Sequence, residues 1–351
     1  MSVIRWIGPD EPPDPTQLGG KGAGLARLAA AGLRAPPAFV ITVDGYREAV
    51  GRRLAAELER AAATIPADAP SAELERAAAT VRARVVEATA HHPLREDLAD
   101  AYARLSERVG ETAAPVAVRS SAVGEDAAGR SFAGEYDTQL WVRGADDVDA
   151  CVRACWASLY TARAVAYRAR GEPAGEVAMA VCVQQMVDAR SAGVFMTLDP
   201  ANGDRSTVVV ESVWGLGGPL VGGEATPDRF VIDKVTGDIV RREVVSKPHE
   251  LGRHSSGRGT ERRPVPTPRC DDPSLSDAEL GELARMAKRV EEHAGAPQDG
   301  EFAVAAGEPP DNVHILQCRP ETAWSRRAQR PVAGRRSALE SVVSTLTKES
   351  R

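Results

Sequence analysis

Apolar and polar positions along the chain follow two patterns, one typical of helices and one typical of strands. A composition rich in Ala, Glu, Arg and Leu predicts helices over 43–110, with a break at 65–71 where two prolines stand. Short apolar runs predict buried strands instead. These runs occupy 116–118, 138–142, 177–187 and 208–213. The interleaving of the two patterns predicts a mixed fold of helices and sheets.

Three further helices are predicted from periodicity and from capping residues. Segment 25–31 is followed by Gly32, a residue typical of a helix C-terminus. Segment 275–294 begins with Ser276 as the N-cap and has Glu279 at the capping-box position. Segment 146–170 places apolar residues at helical spacing along one face. That face consists of Val148, Cys151, Val152, Cys155, Leu159 and Ala162.

Three polar segments are predicted to lie at the surface. Segment 246–272 has four prolines and many arginines, which favours a mobile loop. His91 and His92 precede a proline near a helix start, and we interpret them as a solvated loop pair and not as ligands. The tail 325–351 begins basic and ends in an amphipathic run. We expect it either to fray or to dock on a partner.

Length and charge narrow the class of protein. A chain of 351 residues, 43% hydrophobic and 27% charged, is long enough for two domains or two large lobes. The net charge of −6 gives no sign of a nucleic-acid surface. No run approaches the ~18 apolar residues of a membrane span, and the N-terminus lacks the apolar core of a signal peptide. We therefore expect a cytoplasmic protein without nucleic-acid or membrane partners.

The five cysteines include no C-x-x-C pair. Cys151 and Cys155 stand four residues apart, on one face of a predicted helix. That spacing suits a metal or redox pair, but small buried residues in a reduced cytosolic protein are the favoured interpretation.

The first candidate ligand-binding residues follow the predicted strand 116–118. The stretch that follows reads R-S-S-A-V-G-E-D-A-A-G-R-S-F-A-G-E-Y-D-T, from Arg119 to Thr138. An arginine offers a planar fork of donors for phosphate oxygens, and small residues such as Gly134 let a backbone approach a ligand closely. The residues alone leave two interpretations open, a ligand-binding loop or a hairpin with a solvated polar tip.

Two other segments add candidate residues. Segment 17–24, Q-L-G-G-K-G-A-G, is a glycine-rich turn ahead of the predicted helix 25–31, with Lys21 in its middle. Such a turn suits an anion, although a flexible surface turn has the same composition, and the Walker A pattern is absent. Segments 295–305 and 313–322 each predict a strand, and a hairpin of the two brings Glu301, Gln317 and Arg319 together. One carboxylate and one amide oxygen suit Mg²⁺.

These motifs, in this order, resemble those of the phosphoenolpyruvate synthase and pyruvate phosphate dikinase family, which includes the rifampicin phosphotransferases. The resemblance covers 17–322 and rests on G-G-K-G, on R-S-S-A with E-D and S-F-A-G, on V-Q-x-M-V, on G-L-G with P-D-x-F, and on the ending Q-C-R-P-E-T. The chain departs from the family pattern at five positions, at one of which Gly218 replaces the usual acidic residue. These are Ala35, Ala38, Gly218, Phe302 and Cys318.

The resemblance implies an α/β (α+β) ATP-grasp-like fold with ATP between two lobes. We expect the first lobe over 1–190, the second over 191–324, and the tail beyond. The family match assigns roles to eight residues. Lys21, Arg119 and Arg319 would contact phosphates, Gly134 and Thr138 would form the phosphate loop, Gln184 would lie near adenine, and Glu301 and Gln317 would hold Mg²⁺. The glycine loop after strand 208–213 would close over the phosphates or shape a docking face.

The resemblance also implies a partner. None of the six histidines stands in the family's phosphohistidine motif, so we expect transfer of a phosphoryl group from ATP to a histidine on a separate protein, leaving AMP and phosphate. Two alternatives stay open. One is a self-sufficient ATP-dependent kinase or ligase that acts on a small molecule. The other is a non-catalytic ATP-binding regulatory or scaffold protein.

Overall fold

The protein consists of α-helices and antiparallel β-sheets. A computed structural model describes residues 2–63, 71–123, 138–162, 178–322 and 324. The helices within these ranges are α1 (Pro15–Ala30), α2 (Val43–Ala63), α3 (Ser71–Ala88), α4 (Arg95–Arg108), α5 (Ala145–Ser158), the short α6 (Gly218–Val221) and α7 (Asp277–Ala294). The predicted break at 65–71 lies outside the described residues except for Ser71, which begins α3. The helix predicted over 146–170 ends at Ser158, and its part beyond 162 lies outside the described residues.

A five-stranded sheet takes its strands from the first part of the chain. Its spatial order is β1-β2-β5-β3-β4, with antiparallel pairing throughout. The strands are β1 (Ile4–Trp6), β2 (Ala38–Ile41), β3 (Val116–Ala122), β4 (Thr138–Val142) and β5 (Met179–Gln185). The predicted strands at 138–142 and 177–187 are confirmed over these bounds.

A six-stranded sheet and a separate two-stranded pair follow. The strands are β6 (Ser191–Met196), β7 (Thr207–Trp214), β8 (Asp228–Asp233), β9 (Ile239–Glu243), β10 (His249–Arg253), β11 (Thr260–Pro264), β12 (Gln298–Val304) and β13 (Val313–Pro320). The large sheet runs β13-β12-β6-β7-β8-β9, and β10 pairs with β11. Since neighbouring strands of both sheets are antiparallel, the mixed fold takes the α+β form of the prediction.

The chain leaves the five-stranded sheet after β5 and enters the six-stranded sheet at β6, close to the predicted lobe boundary at 190. Residues Met1–Glu321 nevertheless group into one compact unit. The division into two lobes therefore stays a prediction. None of the helices in the described part of the chain is both long and apolar enough to span a membrane.

Helix α5 packs its predicted apolar face inward. Val148, Val152 and Cys155 are fully buried, and Trp156 beside them is among the largest buried side chains. Burial raises the pKa of the neighbouring Cys151 thiol to about 11. None of the five cysteines, all of which lie within the described ranges, takes part in a disulfide bond. A raised thiol pKa fits the interpretation of Cys151 as a packing residue, because the reactive form is the thiolate.

The helix caps behave as their sequences predict. Ser276 accepts a hydrogen bond from the Glu279 amide, and the Glu279 side chain accepts one from the Ser276 amide, which completes the capping box of α7. Gly32 follows α1 with a left-handed φ of 63°. Both ends are therefore confirmed.

The prediction of a mobile loop over 246–272 is wrong. The segment forms the hairpin β10–β11 and a 3₁₀ turn. Lys247, at its start, is buried and donates to Oδ1 of Asp228 at 2.6 Å, and Glu250 pairs with Arg263 at 2.7 Å. Charged side chains anchor this hairpin, so its sequence lacks the apolar alternation by which strands are recognised.

The interpretation of His92 as a solvated residue is also wrong, whereas His91 is exposed as expected. The His92 imidazole is buried, its Nε2 lies 2.7 Å from Oδ1 of Asp149, and its ring stands edge-on to Trp156. A charged partner on α5 makes burial of the ring possible, and local sequence does not reveal that partner.

Candidate active site

The glycine-rich segment lies inside helix α1 and not ahead of it, so the predicted helix start at 25 is wrong. The helix begins at Pro15, with Asp14 as its cap, and is interrupted at Gly19, where φ is 65°. A Cβ atom at Gly19 would stand 2.0 Å from the carbonyl oxygen of Ser121. Glycine is required at this contact, and the interruption leaves Lys21 in the first turn of the second helical segment.

Strand β3 runs further than the sequence predicts. Its pairing with β5 continues from Val116 to Ala122, so Arg119 lies within the strand and not at its end. The hydroxyl of Ser121 donates to the carbonyl of Leu18 at 2.7 Å and accepts from the Gly22 amide at 3.1 Å. These bonds tie the glycine segment of α1 to the strand that carries Arg119.

The hairpin β12–β13 forms in the register that places the predicted residues together. Glu301 pairs directly with Gln317, and Asp299 pairs directly with Arg319. Helix α1 packs closely on β13, since a Cβ atom at Gly24 would stand 2.6 Å from the carbonyl oxygen of Cys318. The three predicted segments thus converge on one region of the molecule.

Arg119 connects the two sheets at this point. Its Nη2 donates to Oε2 of Glu301 and to Oε1 of Gln317, each at 2.7 Å. Gln317 is buried, and a third of the Glu301 side chain is exposed. The structure therefore brings a predicted phosphate ligand into direct contact with both predicted metal ligands.

The electrostatic surroundings keep Glu301 ionised. Burial acts to raise the pKa of its carboxyl group. The charge and hydrogen bond of Arg119, followed by the charges of Lys21 and Arg319, outweigh burial and lower the pKa below its ordinary value. Lys21 and Arg319 thus act on the same carboxylate as Arg119.

Asp299 is a charged residue that the sequence analysis missed. Its Oδ2 lies 4.0 Å from Nε of Arg319. Burial raises the pKa of Asp299 to about 6, with Arg319 opposing the shift and Glu321 adding to it. Strand alternation could have indicated Asp299 as a site residue, because it stands two residues before Glu301 and lies on the same face of the strand.

A cleft of about 330 Å³ opens beside Arg119 and Glu301. Thr138 lies at its edge, and the buried Gln184 lines its wall, with Nε2 3.5 Å from the carbonyl oxygen of Leu316. The remaining lining is mostly apolar or glycine, and includes the glycine loop before and within α6. It comprises Ala117, Leu140, Gln185, Met186, Val187, Ala189, Ala192, Gly193, Leu216, Gly217, Gly218, Val221, Phe302, Ala303 and Leu316.

The structure places six of the eight predicted site residues in this region. Arg119 contacts Glu301 and Gln317, Thr138 and Gln184 line the cleft, and Arg319 pairs with Asp299. Lys21 lies on α1 and acts on Glu301 through its charge. Gly134 lies outside the described residues. Within the described ranges no cluster of three or more His, Cys, Asp or Glu side chains could hold a metal. Glu301 and Gln317 fit a cation that takes its other ligands from phosphate and water, as Mg²⁺ does.

The chain also matches known proteins along most of its length. Residues 15–338 match the family described as the pyruvate phosphate dikinase AMP/ATP-binding domain. A match of this extent assigns the chain to a class of nucleotide-binding domains. The chain belongs to the pyruvate phosphate dikinase AMP/ATP-binding domain family, which confirms the resemblance found in the sequence.

Three curated relatives illustrate the family. The phosphoenolpyruvate synthase of Aeropyrum pernix is 39% identical over 89% of this chain and 41% of its own length. The prodigiosin-synthesizing transferase PigC of Serratia marcescens is 40% identical over 93% of this chain and 34% of its own. The rifampicin phosphotransferase of Streptomyces sviceus is 38% identical over 87% and 34%. The chain thus spans less than half the length of these relatives.

Proposed function

We propose that this chain binds Mg²⁺ and ATP in the cleft and serves a dikinase-type phosphoryl transfer to a histidine. ATP, water and the acceptor histidine would yield AMP, inorganic phosphate and a phosphohistidine that carries the β-phosphorus of ATP. The proposal includes an ATP-grasp-like arrangement, with the nucleotide between the regions 1–190 and 191–324. The names of the relatives, a phosphoenolpyruvate synthase and a rifampicin phosphotransferase among them, support this reaction type.

The observation that carries the proposal is the contact of Arg119 with both Glu301 and Gln317 at the polar end of an apolar cleft. A purine base favours an apolar slot with a few polar groups, and a triphosphate favours converging cations. The cleft offers both at adjacent positions. In this proposal the base lies against the segment that follows Gln184, and the phosphates face Arg119.

Each charged residue then has a role. Glu301 and Gln317 would hold Mg²⁺, which when bound neutralises charge on the transferring phosphoryl group. Arg119, Lys21 and Arg319 would orient the phosphate oxygens and stabilise the charge that develops on them. Thr138 and the glycine loop before α6 would cover the nucleotide and limit access of water.

The acceptor histidine has to come from elsewhere. All six histidines lie in the described part of the chain, and none of them lines the cleft. His92 is committed to Asp149 in a buried pair. We propose that the acceptor belongs to a phosphohistidine domain outside these 351 residues, carried by a separate protein, and that the amphipathic segment of 325–351 is its docking element.

Transfer from ATP labelled at the β-phosphorus tests the proposal. The chain alone should form little AMP, because a phosphoryl transfer needs an aligned nucleophile. Addition of a separately purified phosphohistidine domain of a phosphoenolpyruvate synthase should place label on its histidine, and removal of 325–351 should weaken this transfer. Fast release of AMP by the chain alone would favour a self-sufficient kinase. Binding of ATP without AMP in any combination would favour a regulatory protein.

A further inference from the structure

A single nitrogen of Arg119 holds two side chains, Glu301 in the cleft and Gln317 beside it on the neighbouring strand. Nη2 donates to Oε2 of Glu301 and to Oε1 of Gln317, both at 2.7 Å. The two acceptors face each other directly across the β12–β13 pair. They are also the two residues to which the proposed function assigns Mg²⁺. The two side chains that would hold the metal ion are therefore already in contact with a positive charge.

The repulsion that this charge exerts on a metal ion follows from distance. Mg²⁺ binds oxygen at about 2.1 Å. When this length is added to the 2.7 Å between each oxygen and Nη2, a cation on either oxygen lies no more than about 4.8 Å from the guanidinium nitrogen. Two positive charges at that separation repel each other strongly in a partly buried site. A cation on these oxygens is thus disfavoured while Arg119 holds them, and its binding becomes more favourable once the guanidinium group moves away.

The remainder of the guanidinium group is suited to a second partner. Nε of Arg119 is buried and forms no hydrogen bond with any described residue. A buried donor without an acceptor is unfavourable, and a guanidinium fork matches phosphate oxygens. If the guanidinium group turns into the cleft, a phosphate group there supplies the acceptor that the described residues do not.

We propose that Arg119 is an exchange residue that orders the binding of metal and nucleotide. This inference rests on the proposed function. Arg119 holds Glu301 and Gln317 until a phosphate of the nucleotide binds its guanidinium group, and the two oxygens then become available to the metal. The divalent cation consequently binds together with the nucleotide and not before it.

Manganese(II) is the probe for the first test, because electron paramagnetic resonance reports its binding without turnover. In the absence of nucleotide, Arg119→Met should bind Mn²⁺ at least about tenfold more tightly than the wild type, the lower end of the effect of a charge ~4–6 Å away. Lys21→Met is the matched control, because it removes a positive charge that acts on Glu301 but leaves the Arg119 contacts in place. An equal increase in both variants, or no increase in Arg119→Met, overturns the exchange.

The wild-type protein provides a second test that does not depend on folding of a variant. Nitrogen-15 resonances of the arginine side chains should show the Arg119 signal unchanged by Mg²⁺ alone and shifted by Mg²⁺ with ATP. A shift with Mg²⁺ alone overturns the exchange.

A thermal melt separates this inference from the proposed function. Mg²⁺ with ATP should raise the melting temperature, since a ligand that binds the native state stabilises it. A melting temperature that does not change contradicts the proposed function itself. Stabilisation by Mg²⁺ with ATP, together with an Arg119 signal that responds to Mg²⁺ alone, contradicts only the exchange.

Discussion

Two ion pairs of nearly equal length differ in this protein in how far water reaches them and in how many of their hydrogen-bonding groups have partners. Arg119 and Glu301 lie 2.7 Å apart in the cleft, and Lys247 and Asp228 lie 2.6 Å apart at the base of the β10–β11 hairpin. The cleft pair is 11% and 34% exposed, whereas the hairpin pair is 2% and 0% exposed. Distance alone therefore does not distinguish a candidate site from a structural anchor.

The difference lies in how completely each pair is satisfied. Both oxygens of Asp228 are in use, one bonded to Lys247 and the other bonded to the amide and hydroxyl of Ser274. Arg119 keeps a buried Nε without a partner among the described residues, and water reaches Glu301. A saturated pair stabilises one conformation, and an incompletely satisfied pair is available to a ligand.

Lys247→Met gives the largest effect on stability that we expect. The substitution leaves Asp228 charged and buried without its ionic partner, which costs about 3–5 kcal/mol. Arg119→Met is the comparison variant and should cost less than about 2 kcal/mol, because water can solvate Glu301. Urea denaturation measures both free energies of unfolding. Equal losses would remove the distinction between the two pairs.

Arg119→Ala and Glu301→Ala should abolish transfer with little loss of fold. Removal of a group that stabilises transferring charge lowers the rate by about 10²–10³-fold, and loss of a metal ligand lowers it at least as much. Label transfer to the histidine domain measures the rate, and circular dichroism checks the fold. Near-wild-type transfer by either variant would show that our assignment of the cleft is wrong.

Asp299 supplies an intermediate case with a smaller effect. Burial raises its pKa to about 6 despite Arg319, so the folded state holds its proton more tightly than the unfolded state. The free energy of unfolding should therefore fall as the pH rises from about 4 to about 6 and stay level above that.

Asp299→Asn should lack this decline. The variant should gain about 1–2 kcal/mol over the wild type at pH 8 and nothing at pH 4, since a pKa unit is worth about 1.4 kcal/mol and nearly a third of the side chain is exposed. Urea denaturation across pH 4–8 measures the difference. Parallel pH profiles would contradict a raised pKa.

Patterns local in sequence predicted much of the fold. Some of these patterns depend only on neighbours a few residues away. They are the capping at Ser276, the apolar face of α5 and the alternation of side chains along β12 and β13. The extent of β3 and the burial of His92 depend on partners far along the chain. The β10–β11 hairpin depends on such a partner too, since its anchor Lys247 pairs with a residue of β8.

The candidate site also combines features that local sequence predicts with contacts between distant segments that it does not. The family motifs indicated Arg119, Glu301 and Gln317, but nothing local indicated that one guanidinium nitrogen holds both acceptors. That contact joins β3 of one sheet to the β12–β13 hairpin of the other. Only the folded structure places them side by side.

The central claim is that the cleft beside Arg119 holds the nucleotide, and photolabelling with 8-azido-ATP and Mg²⁺ tests it most directly. The azido group on the base should label the peptide that contains Gln184 to Ala189, and excess ATP should prevent the labelling. Protected labelling at the surface groove near Lys234 and Lys288, which shares no lining residue with the cleft, would contradict this assignment.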